Sequence, residues 1–196
     1  MFMKTSEIII RQYNPEDVPE VLRMYSASWA KAEEVSDREK KDTAESLAQK
    51  ARELYSPDAI AREKDRLEKQ APHLDHRLNK IAIDQNGRKV GVVCGRVNEL
   101  PEHLAGLLGL PVGSHGYYLG RLYVAVDAQG QGIGSKLLGH ALDWAKKNNA
   151  QIIYIEVDID NARIVDFYCK NGFKKVAGSE RMSENVRLAV YVYGSE

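Results

Sequence analysis

Cysteine is scarce in this chain: Cys94 and Cys169 are the two residues in 196. So few exclude the disulfide framework of a small secreted domain and point to a cytoplasmic protein with reduced thiols. Neither sign of charge is in excess, since 28 Lys plus Arg balance 28 Asp plus Glu. Without a basic surplus, neither nucleic acid nor an anionic membrane is implied as an obligatory partner. No apolar run is long enough to cross a bilayer, and the Met1 end lacks the charged-then-apolar pattern of a secretion leader. His73 and His76 could share a helical face but lack further ligands at a suitable spacing, so no metal is expected.

What is present suffices for one domain with a substantial core, residues 1–196. Glu7 to Tyr13 reads as a first strand. Asn14-Pro15-Glu16-Asp17 then starts a helix, with Asn14 as N-cap and Pro15 at the first helical position. Residues 31–79 form a charged helical insertion, with one helix near Asp42 to Tyr55 and another from Ser56-Pro57 to about Gln70. Its apolar stripe is thin, so its charges are expected to form a solvated face over an edge of the domain. Ile81–Asp84 and Lys89–Asn98 are strands joined at Asn86-Gly87, a hairpin signal. Leu100 to Gly116 reads as a long apolar loop, a substrate wall, lid or dimer patch. Lys174–Ala177 and Val186–Tyr193 read as a final hairpin.

The chemistry concentrates after the strand Tyr117–Val126. Gly130, Gly132 and Gly134 follow it, and an amphipathic helix then begins with Leu137, Leu138, Ala141, Leu142 and Ala145 on one face. A strand, a glycine turn and a helix start together offer backbone N–H groups at the positive end of a helix dipole, an anion site. The order Gly134-Ser135-Lys136 is wrong for a P-loop, and Ser135 occupies the third glycine of a dinucleotide fingerprint. Gln129, Gly132 and Gly134 instead fit Q/R-x-x-G-x-G/A. A plain tight turn before a helix stays open on this segment alone. A second segment adds the strand Gln151–Val157, the turn Asp158 to Asn161, and a helix Ala162–Lys170 closed by Asn171-Gly172.

Together the two segments resemble the GCN5-related N-acetyltransferase family, over about residues 80 to 193 and more weakly over Glu7 to Trp29. The second segment carries the resemblance through Glu156, Asn161, Ala162, Phe167, Tyr168, Gly172 and Phe173. The resemblance implies an α/β (α+β) acyl-CoA N-acyltransferase fold: a mixed, mostly antiparallel central sheet, helices on both faces, and splayed central strands. It implies acetyl-CoA as cosubstrate and transfer of acetyl to a primary amine by direct attack in a ternary complex. Pyrophosphate would lie on the loop Gln129, Gly130, Gln131, Gly132, Ile133, Gly134 and Ser135. The pantetheine arm would pair with the backbone near Tyr123, Val124 and Val126 and touch Asn161 and Tyr168. Val124 N–H would hold the thioester carbonyl, Tyr168 would protonate the leaving thiolate, and Glu156 would serve as general base directly or through water.

Each role has a plainer counterpart. Tyr168 could be a core aromatic, Glu156 a carboxylate hydrogen-bonded near the cleft, and Asn161 the cap of its helix. Cys169 is expected to be a buried structural thiol. The acceptor region by resemblance is Ser26 to Ser36, the 100–116 loop and the connection Gly178 to Asn185. There Glu33, Glu34 and Asp37 would attract a cationic small amine such as a polyamine or aminoglycoside, although Lys31, Arg38 and Lys40 blur that signal. A peptide N-terminus or lysine is the alternative acceptor, and a non-catalytic acyl-CoA-binding module is the alternative of another class. Family habit suggests a homodimer.

Overall fold

The structure, a computed structural model, describes residues 7–35, 49–50, 52–53, 55–70, 76–183 and 186–194, with backbone alone given for 28–35 and 70. The expected helix near 42–55 therefore falls largely outside the described residues, as do Glu33, Glu34 and Asp37 as side chains. In chain order the elements are β1 (Ile9–Gln12), a 3-10 turn Pro15–Asp17, α1 (Val18–Val35), α2 (Pro57–Gln70), β2 (Arg77–Ile83) and β3 (Lys89–Glu99). There follow α3 (Glu102–Leu107), β4 (His115–Val124), a 3-10 turn Val126–Ala128, α4 (Ile133–Lys147) and β5 (Ile152–Asp158). The chain closes with α5 (Ala162–Lys170), β6 (Phe173–Lys175), β7 (Arg181–Ser183) and β8 (Val186–Tyr193). No helix among the described residues is long and apolar enough to cross a membrane.

One mixed sheet runs β1-β2-β3-β4-β5-β8-β6, with β7 also on β8. Every pairing is antiparallel except β4 with β5. That parallel pairing lasts for three register positions, Gly116–Ile152, Tyr117–Ile153 and Tyr118–Tyr154, although both strands continue well beyond it. The central strands are splayed, as the resemblance implied. Opposite β3 the register slips between Cys94 and Gly95, which pair with Arg121 and Leu119, so Gly120 is an extra residue in β4.

Helices cover both faces. The first face carries Leu78, Val93, Tyr117, Leu119, Ile153 and Val157 under α4 and α5, which contribute Leu137, Leu138, Ala141 and Tyr168. On the second face α1 and α2 cover Ile81, Val92 and Cys94 with Val21, Leu22 and Leu67. Beside them, α3 covers Tyr154, Val190 and Val192 with Leu104 and Ala105. Each such fully buried aliphatic side chain contributes about 2 kcal/mol against the entropy of ordering the chain.

Several sequence expectations need correction. β4 ends at Val124, and Val126 belongs to a 3-10 turn, because Gln129 N–H folds back onto its carbonyl. The 100–116 stretch is not all loop, since Pro101 starts the helix α3 and Leu104 and Ala105 anchor it in the core. The polar connection before β8 contains β7. Cys169 is exposed while Cys94 is buried. Tyr168 takes the inward direction on α5, and its neighbour, rotated by about 100°, faces out. The insertion is not merely a solvated face: α2 buries Glu63 together with Leu67.

Gly95 lies against the buried Tyr117 ring, so an added Cβ would overlap it, with Cε2 only 2.7 Å away. The Tyr117 hydroxyl is itself buried without a hydrogen-bond partner. Gly95→Ala is therefore expected to destabilise the fold by about 2 kcal/mol through overpacking. Tyr117→Phe should leave stability unchanged or raise it by up to about 1 kcal/mol, since it deletes an unsatisfied group. Urea unfolding monitored by circular dichroism measures both, and a Tyr117→Phe loss comparable to that of Gly95→Ala would contradict this packing.

Candidate active site

The glycine turn is placed where the split between β4 and β5 opens. Gly130 and Gly132 have φ of 78° and 76°, the left-handed region that side chains with a Cβ avoid. No atom lies within 4 Å of where a Cβ would stand at either residue, so the turn leaves open space above its backbone. Gly132 is the N-cap of α4, and the first helical bond runs from Lys136 N–H to its carbonyl. The preceding amides, Ile133 to Ser135, are helix-terminal donors at the positive end of the dipole. Ile133 is 2 % exposed and anchors this end in the core, while Ser135 is exposed. Gly134 sits against Phe167 of α5, whose Cε2 would be 3.3 Å from a Cβ there. The region fits a diphosphate: open amides, no bulky side chain and a helix dipole.

The turn is tied to its surroundings by its own side chains. Gln129 Nε2 donates to the Val124 carbonyl at 3.1 Å, so this side chain fastens the loop to the strand end instead of extending towards an anion. Gln131 makes a longer contact of 3.4 Å to the Asp127 carbonyl. Arg88 bridges Asp84 and Asp127, pinning the loop entry to the β2–β3 hairpin.

Along β4, Ala125 N–H donates to the Val90 carbonyl, and Tyr123 stands in register with Val92. Strand alternation therefore directs the Val124 amide away from β3, towards the split. The Tyr123 side chain lies on the second face against Tyr25 of α1, with ring centroids 4.4 Å apart. Burial, the nearby Tyr25 and a hydrogen bond with it raise the Tyr123 pKa well above the ordinary phenol value. Tyr168 approaches from the other face. It is 5 % exposed and packs edge-on against Phe167 and Phe173. Burial and the neighbouring Tyr118 raise its pKa far above the ordinary phenol range. Tyr118 and Tyr123 both lie within electrostatic reach of Tyr168 although they belong to the opposite face.

Glu156 is on β5 two residues beyond Tyr154, the last residue paired with β4. Arg181 of β7 donates to it from Nε at 2.9 Å and Nη2 at 2.6 Å, both bonds falling on Oε1. Asn161 is buried and caps α5, its Oδ1 accepting from Ile164 N–H at 3.2 Å. Of the expected residues, the structure brings Val124, the glycine turn, Tyr168 and Glu156 to the split. Val126 lies off the strand, and Asn161 caps its helix through Oδ1.

Sequence reasoning missed a polar layer on the second face. Glu63 of α2, only 6 % exposed, accepts from Arg121 of β4 at 2.7 Å and from Arg66 at 2.6 and 2.8 Å. Tyr13 adds a long contact of 3.4 Å. Next to this group lie Arg96, over the Tyr118 ring at 5.7 Å, and the Tyr118–Tyr154 ring pair at 5.2 Å. Polar residues at alternate positions of otherwise apolar strands, Arg96 and Asn98 in β3, were the available signal. A separate groove of about 550 Å³, lined by Pro111, Val112, Gly113, Ser114, His115, Asn149 and Gln151, sits at the opposite end of β4 from the glycine turn. It is remote from the split.

Comparison with known proteins gives this geometry a family. The sequence model of the acetyltransferase (GNAT) family matches residues 41–173. The chain belongs to that family. An uncharacterized N-acetyltransferase of Methanocaldococcus jannaschii is 32% identical over 68 residues, 33% of this chain and 30% of its own length. N-alpha-acetyltransferase 30 of Schizosaccharomyces pombe is 38% identical over 56 residues, 29% of this chain and 37% of its own. The chain thus matches about a third of the length of these curated relatives. Among solved structures, the PaiA N-acetyltransferase of Thermoplasma acidophilum, in complex with coenzyme A, superimposes with a TM-score of 0.67 at 20% identity. That superposition covers 94% of this chain and 98% of the other, and establishes the shared fold. In this GNAT chain the split strands and glycine turn occupy the centre of that fold.

The buried Glu63 group has a pH signature. Burial alone would push its carboxyl up, but the hydrogen bonds and charges of Arg66 and Arg121 outweigh it and hold the pKa below the ordinary value of 4.5. A depressed folded pKa stabilises the protein above the unfolded value and ceases to do so as pH falls through the folded one. Glu63→Gln, which leaves two guanidinium groups facing a neutral amide, should lose about 3 kcal/mol at pH 7. The gap to the parent protein should narrow as pH drops below about 4.5. Denaturant midpoints at pH 7 and pH 3.5 measure it, and a gap independent of pH would refute the ion-pair account.

Proposed function

We propose that this chain is an acetyl-CoA-dependent N-acetyltransferase acting on a small primary amine by direct transfer in a ternary complex. The single observation that carries the reading is the parting of β4 from β5 after three paired positions, beside a glycine turn whose amides open a helix. A thioester arm needs such a gap, where strand edges can hold it in extended form, and its diphosphate needs such a turn.

Acetyl-CoA would supply the activated acyl group, with Gly130 to Ser135 holding its diphosphate and the Val124 amide aimed at the thioester carbonyl. The amine nitrogen forms the new C–N bond as the C–S bond breaks. The amine's proton leaves towards Glu156, directly or through water. Glu156 is set on the strand edge by Arg181 through Oε1. The departing sulfur takes the proton of Tyr168, whose ring is held in place by Phe167 and Phe173. Solvent exchange then restores Tyr168.

A second reading, transfer to a peptide N-terminus, is favoured by the stretch shared with N-alpha-acetyltransferase 30. Thiol release from acetyl-CoA against a panel of small amines and short peptides separates the two. Tight coenzyme binding by calorimetry with no turnover on any acceptor would instead leave a binding module. Tyr168→Phe should lower kcat by about 100-fold or more while leaving coenzyme affinity within about two-fold. An unchanged kcat would remove Tyr168 from thiolate protonation.

A further inference from the structure

The second face of the sheet holds cationic groups for which the described residues provide no anion. Arg77 of β2 and Arg96 of β3 are register partners, so two guanidinium groups stand directly opposite one another on neighbouring strands. Like charges in that position destabilise a sheet. Burial, Arg96 and Arg66 together lower the Arg77 pKa from its ordinary value. Arg66 is committed to Glu63. Among the described residues no carboxylate pairs with Arg77 or Arg96.

The register gives these charges an address. Arg77, Arg96, Tyr118 and Tyr154 occupy matched positions on β2, β3, β4 and β5. The row therefore crosses four adjacent strands, spaced about 4.8 Å apart, and ends at the last position before the split. Beside it, Asn98 donates to the Glu99 carbonyl at 2.7 Å, while its Oδ1 is buried without a partner. A buried orphan acceptor costs stability unless a ligand donor satisfies it. Two guanidiniums with no carboxylate partner among the described residues thus stand on β2 and β3, in a row that leads across β4 to Tyr154, two residues before Glu156.

We infer that the acceptor amine carries a carboxylate, that Arg77 and Arg96 grip this carboxylate, and that the amine end lies towards Glu156 and the split. This deepens the reading above and rests on it. The planar donors of arginine suit a carboxylate through paired hydrogen bonds. A polycationic acceptor, which Glu33, Glu34 and Asp37 suggested from sequence, would meet like charge here.

The test uses the full chain, acetyl-CoA and a series of ω-amino acids of increasing length, each matched with the alkylamine lacking the carboxylate. At least one amino acid should exceed its alkylamine by about 10- to 100-fold in kcat/KM, the range of a hydrogen bond to a charged group. Arg77→Gln and Arg96→Gln should each cut that ratio by about ten-fold or more, chiefly through KM. The preferred amino acid should also raise the melting temperature of the parent protein more than that of either variant. That readout survives slow turnover. If alkylamines are acetylated as well as or better than every amino acid, the carboxylate inference is overturned while acetyl transfer stands. If the ratio survives both arginine substitutions, the assignment of the anion site to them is overturned. Failure to bind acetyl-CoA at all, by calorimetry on the parent protein, would overturn the transferase reading itself.

Discussion

The rest of the structure depends on one extra residue in β4. Tyr117 and Leu119 face the α4–α5 side, and strict alternation would place Arg121 on that side too, inside an apolar core. Gly120 breaks the alternation: Leu122 and Val124 return to the first face, while Arg121 and Tyr123 turn to the second. The same irregularity changes the course of β4, and its pairing with β5 does not continue past Tyr118. A bulge bends its strand and increases local twist, so a central strand acquires an edge without becoming the edge of the sheet. The parted strands, the inward Arg121 and the placing of Tyr123 on the second face go with a single insertion.

An unpaired edge inside a sheet is costly and must be held. Gln129 ties the loop to the Val124 carbonyl, Arg88 fastens the loop entry to the β2–β3 hairpin, and Phe167 packs on Gly134 where α4 begins. On the other face the Glu63 carboxylate links α2 to Arg121 directly beyond the bulge. The edge is thus braced from both faces, and the two braces differ in chemistry. One is backbone and amide, suited to sit beside a diphosphate. The other is a buried ion pair, whose removal on one side alone would leave uncompensated charge.

Much of the fold was legible because its signals are local. The Asn86-Gly87 turn, the Gly172 cap with φ of 87°, and the apolar stripe of α4 each depend on a few neighbouring residues. Family membership was legible for the same reason, since the glycine turn and the β5–α5 segment are short and ordered. The short helix α3 was hidden by the apolar, glycine-rich run around it, and β7 by its three-residue length. Cys169 was misplaced because the general tendency of cysteine to be buried was applied to a helix position that faces out. The polar layer was less accessible still. Glu63, Arg121, Arg96 and Arg77 come from α2, β4, β3 and β2, so only the sheet register brings them together. One trace of it was present: Leu119 and Leu122 are three residues apart in a strand otherwise alternating by two, with glycine between them.

Under the proposed carboxylate grip, charge on the second face would select the acceptor. Glu63 pairs with Arg66 and Arg121, and Glu156 with Arg181, while among the described residues no carboxylate pairs with Arg77 or Arg96. Two unit charges about 4 Å apart interact by about 4 kcal/mol at the effective dielectric of a protein surface, so an approaching polycation would be repelled strongly. An acceptor with an anionic end would be attracted by the same field and oriented by it, amine foremost towards the split. Orientation is what a direct transfer between two bound substrates most requires, because the reacting atoms must meet in one geometry. Under that proposal the mutual repulsion of Arg77 and Arg96 would be relieved when substrate binds. Part of the stability forgone in the empty protein would then reappear as affinity for the acceptor.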